Sequence, residues 1–350
     1  MPENPSPASF PMLLPGERLP KPQPPANASP GQRANRAAAL HRFQDYRLRR
    51  AEQTLRRQDA DLALFGSFLE LAGMPAASLN LDPRAWKEIT WGLVEAFVKW
   101  MLKEGYAVPS INVRLSTVKT YARLAMQAGT LSPEEYACIR AVQGFSRREQ
   151  VRIDRKRPVQ RLGAKKAAPV RLTPEQAHAL KRQPETPQGR RDALMMCLLL
   201  DHGLRVGELA ALAVDEIDIN EGVLRFYRPK VNREQTHRLS PDTLAALRAC
   251  IRCGEMPGEG YLLRRSRKNG QLGEPGMSER AITARVCLLG KLVDAWGLSA
   301  HDCRHFWASS AARHGTDPFV LQQAGGWSSL AMPRRYIEDN EISNEGIKLE

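Results

Sequence analysis

Six residues in the C-terminal part of the chain carry types that suit phosphate chemistry. They are Arg205 in GLRVGEL, Lys230 in RPKVNRE, His301 and Arg304 in HDCRH, Trp327 in GGWSS, and Tyr336 in PRRYIE. Together they span a domain-sized stretch of roughly 150 residues. Two guanidinium forks match the oxygens of a phosphodiester bidentately, and a histidine and a lysine can move protons beside it. A tyrosine converging on the same point can act as nucleophile. Taken singly, each has an ordinary structural reading: a surface arginine, a turn lysine, a Gly-Gly-Trp packing anchor, a half-buried tyrosine. The sequence shows no HExxH or GxxxxGK pattern and no metal-binding carboxylate cluster near these six residues, so two-metal hydrolysis and nucleotide-driven coupling are disfavoured, and no metal or cofactor is expected.

In order and context these motifs resemble the tyrosine recombinase (phage integrase) family, over roughly residues 55 to 345, the size of two ordinary domains. GLRVGELAAL is similar to the family's first-arginine box, HDCRHFWAS to its His-x-x-Arg-His box, and GGWSSLAMPRRYIE to the closing box with the nucleophile. The resemblance implies a mainly α fold with a small antiparallel β-sheet in the catalytic domain, arranged as a two-domain DNA clamp. It implies site-specific cleavage and rejoining of DNA through a 3′-phosphotyrosyl link at Tyr336, without ATP or metal. Arg205 and Arg304 would hold the non-bridging oxygens, Lys230 would protonate the leaving 5′ oxygen, and His301 would act as acid/base or hydrogen-bond donor. Glu208 would orient Arg205, and His305 would support the site. Trp327 stands where many members carry histidine; its indole N–H can donate but cannot shuttle protons.

The implied partners are double-stranded DNA recombination sites, further copies of the chain assembled on DNA, and accessory or host factors. A type IB topoisomerase-like relaxing enzyme, and a DNA-binding protein that keeps the fold without the catalysis, remain the rival readings. The target sequence, and whether the event is integration, transposition or replicon resolution, are not encoded in the residue types.

The elements that must hold these residues begin with charge. The chain has 350 residues, a formal charge of +14 and a pI near 9.8, which points to a polyanionic partner. Residues 146–171 alone carry 10 Lys/Arg against 2 Asp/Glu and read as a basic interdomain linker along a nucleic-acid backbone, or as a solvated basic connection. Within it Arg155, Lys156 and Arg157 are candidate DNA contacts. Residues 1–50 read as a Pro-rich, disordered segment, densest through residue 32, which holds ten of the 25 prolines; helical patterning begins after that.

Residues 51–145 read as a helical DNA-binding domain. One helix is expected to stop at Gly73, a second to carry Leu93, Val94, Phe97 and Met101, and a third to start with Ser110 as N-cap. That third helix buries Ile111, Leu115, Val118 and Ala122 and leaves Arg114, Lys119 and Arg123 as further candidate DNA contacts.

The catalytic domain is expected over residues 172–350, opening with a capping box at Thr173 and Gln176. The convincing strands are Ile217–Ile219, Val223–Tyr227 and Gln235–Leu239, with Lys230 at the tip of the second turn. The stretch RRSRKNGQLGEPG reads as a DNA-contacting or mobile loop, and the acidic tail after Tyr336 as a segment docking on a neighbouring subunit. Six scattered cysteines fit a reducing cytoplasm, where the protein would be nucleoid-associated. Cys250 and Cys253 form a CxxC that suits helical packing better than half a zinc site. Neither a signal peptide nor a membrane-spanning run is expected.

Overall fold

The computed structural model describes residues 29–75, 78–159, 162 and 169–338, and the chain divides after Lys165 into two units. The N-terminal unit is helical: α1 (Pro30–Leu40), α2 (Arg42–Leu48), α3 (Glu52–Leu71), α4 (Trp91–Lys103), α5 (Val108–Gln127), α6 (Pro133–Ala141) and α7 (Arg147–Asp154). Its core is aromatic. Phe65, Trp86, Phe97 and Tyr121 are fully buried, and the Trp86 indole N–H donates to Leu79 O at 2.9 Å, so the large ring brings no unpaired donor inside.

Three expectations are corrected here. The folded unit begins before residue 51, because Ser29 and Gln32 form a capping box with Pro30 in the first turn of α1, and Phe43 and Tyr46 pack edge-on against Tyr121. The Pro-rich residues 1–28 lie outside the described residues. Helix α5 starts at Val108 with Ala107 as N-cap, not at Ser110, because Pro109 suits the first helical turn and draws the start back past the serine. The basic connection is shorter than 146–171, since Ser146 and Glu149 cap a true helix, α7, and Arg157 just beyond it ties back by donating to Tyr106 O at 2.8 Å. Residues 160–161 and 163–168 of that stretch lie outside the described residues.

The C-terminal unit runs α8 (Pro174–Lys181), α9 (Pro187–Asp201), α10 (Val206–Ala211), β1 (Ile217–Asp218), β2 (Val223–Arg228), β3 (Arg233–Arg238) and α11 (Pro241–Arg252). It continues β4 (Arg264–Ser266), β5 (Leu272–Gly276), α12 (Glu279–Lys291), α13 (Ala300–Arg313), α14 (Pro318–Gly325) and α15 (Ala331–Glu338). The Thr173–Gln176 box caps α8 as expected. Helix α9 is the spine: its run from Leu194 to Leu200 is buried throughout, and α8, α11 and α13 pack on it. Cys250 packs inside α11 and Cys253 caps its exposed end, as helical packing of the CxxC requires.

Strands β1, β2 and β3 form an antiparallel sheet in that order, with Arg228 opposite Arg233 at the turn that carries Lys230. The arginine-rich stretch read as a loop is instead a second antiparallel pair, β4–β5. Its residues are poor strand formers, and the pairing is held from outside: Arg191 donates to Arg264 O and to Ser266 Oγ.

Candidate active site

Helix α13 presents His301, Arg304 and His305 on neighbouring turns. Its start is fixed by Asp302, which accepts from Ser299 N at 2.8 Å and Ser299 Oγ at 2.6 Å, and also from Val170 N at 3.1 Å. That carboxylate thus ties the entry segment of the unit to the helix carrying the basic residues. Gly203, at φ +59°, ends α9; a Cβ there would sit 2.4 Å from the Trp307 ring. The turn places Arg205 as N-cap of α10.

Arg205 and Arg304 converge on the C-terminal end of α14. Arg205 Nη2 donates to Gly326 O at 3.2 Å, and Arg304 donates through Nη1 to Gly203 O at 2.5 Å and through Nη2 to Gly325 O. Trp327 folds back over this end, with the Arg304 guanidinium 4.7 Å from its ring centre. The Tyr336 ring lies next, 5.7 Å from Trp327, and its hydroxyl shares a 2.8 Å hydrogen bond with His305 Nδ1. The His301 ring stands edge-on to His305 at 4.4 Å. Five of the six expected catalytic residues, with His305, are therefore linked in one chain of contacts. Lys230 is exposed at its hairpin tip; the hairpin reaches α14 through Gln235 and Arg228 instead.

Arg228 is the member that sequence reasoning missed. In β2 the alternation Leu224, Phe226, Arg228 points inward, so a guanidinium lies fully buried. It is paired: Nη1 donates to Glu208 Oε2 at 2.9 Å and Nη2 to Ala324 O at 2.9 Å. Glu208 also accepts from Arg205 Nη1 at 2.6 Å and from Arg205 N at 2.8 Å, which gives it the expected orienting position. Period-two burial of an arginine beside the lysine turn was the available signal.

The electrostatic balance is uneven. Three guanidiniums, Arg205, Arg228 and Arg304, face a single carboxylate, and Arg304 donates to neutral carbonyls. Burial, and then the charge of Arg205, push the Arg304 guanidinium down to about 9; burial pushes Arg228 down to about 10 despite Glu208. A buried cation excess of this kind is relieved by an anion with several oxygens. His305 is lowered from the usual histidine range, first by burial and then by His301.

Of the candidate DNA contacts, Arg123, Arg155 and Lys156 are exposed. The other three are engaged within the unit. Arg114 lies over the Tyr106 ring at 4.7 Å and 3.8 Å from Asp61, and Lys119 donates to Arg140 O at 2.8 Å and to Val142 O, with burial lowering its ammonium. Arg157 pairs with Asp154 at 2.6 Å. Sequence periodicity set Arg114 and Lys119 on the helix surface but did not show that they, or Arg157 in the basic stretch, find partners nearby.

Residues 170–342 match the family model described as the phage integrase family. The chain belongs to the phage integrase family. Among curated relatives of this integrase, the tyrosine recombinase XerD of Pseudomonas aeruginosa is 24% identical over 295 residues, covering 82% of this chain and 86% of its own. XerD of Xanthomonas campestris is 28% identical over 269 residues, covering 69% and 71%. Among solved structures, the Tn1549 transposon integrase in complex with transposon right end DNA gives a TM-score of 0.60 at 16% identity, over 85% of this chain and 94% of that one. A lambda integrase dimer bound to a COC′ core site gives 0.58 at 18%, over 90% and 99%. At such identities the likeness establishes the fold alone, mostly helical with small antiparallel sheets.

Proposed function

We propose that this integrase is a site-specific recombinase that cleaves and rejoins DNA strands with Tyr336 as nucleophile. The observation that carries the reading is the Arg205–Arg304 pair beside Trp327 and Tyr336, a cation excess next to a nucleophilic oxygen. In the cleavage step Tyr336 Oη attacks phosphorus, the P–O5′ bond breaks, and the leaving O5′ takes a proton from Lys230. Arg205 and Arg304 neutralise the non-bridging oxygens as charge builds on them, and the Trp327 indole donates a further hydrogen bond. The phosphotyrosyl ester keeps the energy of the broken bond, so a 5′ hydroxyl from another strand displaces the tyrosine without nucleotide hydrolysis.

Solved lambda integrase is a dimer on a core site and a tetramer on a Holliday junction. By extension, copies of this chain assemble on paired DNA sites, with Arg123, Arg155 and Lys156 on the backbone. Among the described residues no helix is long and apolar enough to cross a membrane, and the reading places the protein with the chromosomal or mobile DNA it acts on.

The test is a covalent trap: full-length protein is incubated with pooled nicked duplexes tiling the DNA around its own gene, then denatured in SDS. A protease-sensitive adduct with wild type, absent with Tyr336→Phe while salt-sensitive DNA binding persists, is the expected result. An adduct that survives Tyr336→Phe overturns the assignment. Relaxation of supercoiled DNA without site preference would turn the reading toward a topoisomerase-like enzyme.

A further inference from the structure

We propose that His305 is a catalytic residue, the base that takes the proton from the Tyr336 hydroxyl as that oxygen attacks phosphorus. This rests on Tyr336 being the nucleophile and adds the group that activates it. The geometry is direct: Tyr336 Oη lies 2.8 Å from His305 Nδ1, within proton-transfer distance, and both side chains are held on packed helices, α13 and α15. In the tautomer protonated at Nε2, Nδ1 carries the lone pair and the phenol donates to it.

The exposed His301 ring meets His305 edge-on at 4.4 Å, one helical turn nearer the start of α13. Behind the hydrogen bond a cavity of about 200 Å³ is lined by Arg171, Leu172, Ser309, Arg313 and Arg335.

The charges around His305 favour this role. On α13 they are His301, Asp302, Arg304 and Arg313; on α15, Arg335; on the entry segment, Arg171. With five cationic or protonatable neighbours against one carboxylate, and the ring half-buried, the free enzyme holds His305 neutral with its lone pair available. When the phosphodiester enters, its charge and that of the attacking oxygen offset the same cations, and the imidazolium becomes tolerable at the moment the proton arrives.

The step balances. The Oη–P bond forms, the P–O5′ bond breaks, the phenol proton moves to Nδ1, and O5′ receives the Lys230 proton. In rejoining the imidazolium returns its proton to the departing tyrosine oxygen.

The experiment measures single-turnover adduct formation by the full chain on a nicked duplex, across pH, with wild type, His305→Ala and His305→Gln. The last keeps a hydrogen-bond acceptor but takes no proton. Each is also made with 3,5-difluorotyrosine at position 336, which acidifies the phenol. Loss of a general base should slow cleavage by about 10²–10⁴-fold near pH 7, with DNA affinity unchanged. The His305→Ala rate should then climb about tenfold per pH unit toward the phenol pKa of about 10, while wild type stays flat. The fluorinated phenol should rescue both variants by at least tenfold. If His305→Gln cleaves like wild type, or neither variant responds to phenol acidity, His305 only positions the tyrosine and the proposal falls. If wild type instead makes the same adduct as Tyr336→Phe, it is the nucleophile assignment that fails.

Discussion

Arg228 sits inside the C-terminal unit because strand alternation leaves it no alternative, and the core tolerates it because Glu208 is there. A buried pair of this kind is weak evidence for net stability, but removing one partner strands a charge. Glu208→Gln should therefore destabilise the unit by about 3–5 kcal/mol, seen as a lower urea midpoint at unchanged slope. It should also loosen Arg205, which shares the same carboxylate, so strand cleavage should fall further than DNA binding. A variant with wild-type stability would mean that Arg228 finds other acceptors.

At this scale much of the site was legible. Arg205, Arg304, Trp327 and Tyr336 declare themselves by motif order, and the structure joins them. Arg228 did not, because an arginine beside a turn reads as exposed until the pairing face of its strand is known. The hydrogen bond of His305 to Tyr336 joins residues on different helices, and no local pattern encodes it.

Elements were legible where their signals are short-range and blurred where tertiary pairing decides. The Thr173 box is read within four residues, whereas the equally local Ser146 box was passed over inside a stretch read for its charge. The β4–β5 hairpin is held by Arg191 on α9, beyond any local signal. The turn after α14 shows how an element sets a site. Gly326 has φ +58°, and a Cβ there would meet Arg228 Cδ at 2.6 Å. Gly326→Ala adds backbone strain of about 1–2 kcal/mol and pushes on the arginine network. Cleavage should fall at least tenfold while DNA affinity, measured by fluorescence anisotropy, holds; unchanged cleavage would mean that the clamp absorbs the displacement.

Helix α5 and the residues just past α7 give a sharper contrast, since their cations divide by what they touch. Replacing Arg123, Arg155 or Lys156 by alanine should lower the slope of log affinity against log salt by about 0.9 each, with stability unchanged. Replacing Lys119 or Arg157, whose donors already serve protein acceptors, should cost about 1–3 kcal/mol of folding stability. Their salt slopes should move far less. Equal slopes for the two groups would remove the distinction that burial draws.

Two separate cores make the whole molecule, and they should respond differently to acid. The C-terminal core holds His202 and His237, whose rings lie 5.9 Å apart; His202 Nε2 bonds Thr243 Oγ1 at 3.1 Å. Burial, then Lys181, pushes His202 down to about 4. Burial, then His202 itself, pushes His237 down to about 4 as well. Both are neutral when folded and protonate near 6.5 when unfolded, so between those values the unfolded chain binds more protons. Their contribution is complete above about pH 6.5 and is lost as pH falls toward 4, up to about 3 kcal/mol for each ring. The N-terminal unit carries one histidine, the exposed His41, and no buried histidine pair. Calorimetry at pH 7 and pH 5 should show the C-terminal transition moving down markedly while the N-terminal one shifts little. His237→Leu removes one proton of this uptake, to which the lowered His305 also adds, so the pH slope of the C-terminal transition should fall by up to about half whatever the variant does to stability at pH 7. Parallel shifts of both transitions would assign the acid response to carboxylates common to the two units, and the buried pair would then carry none of it.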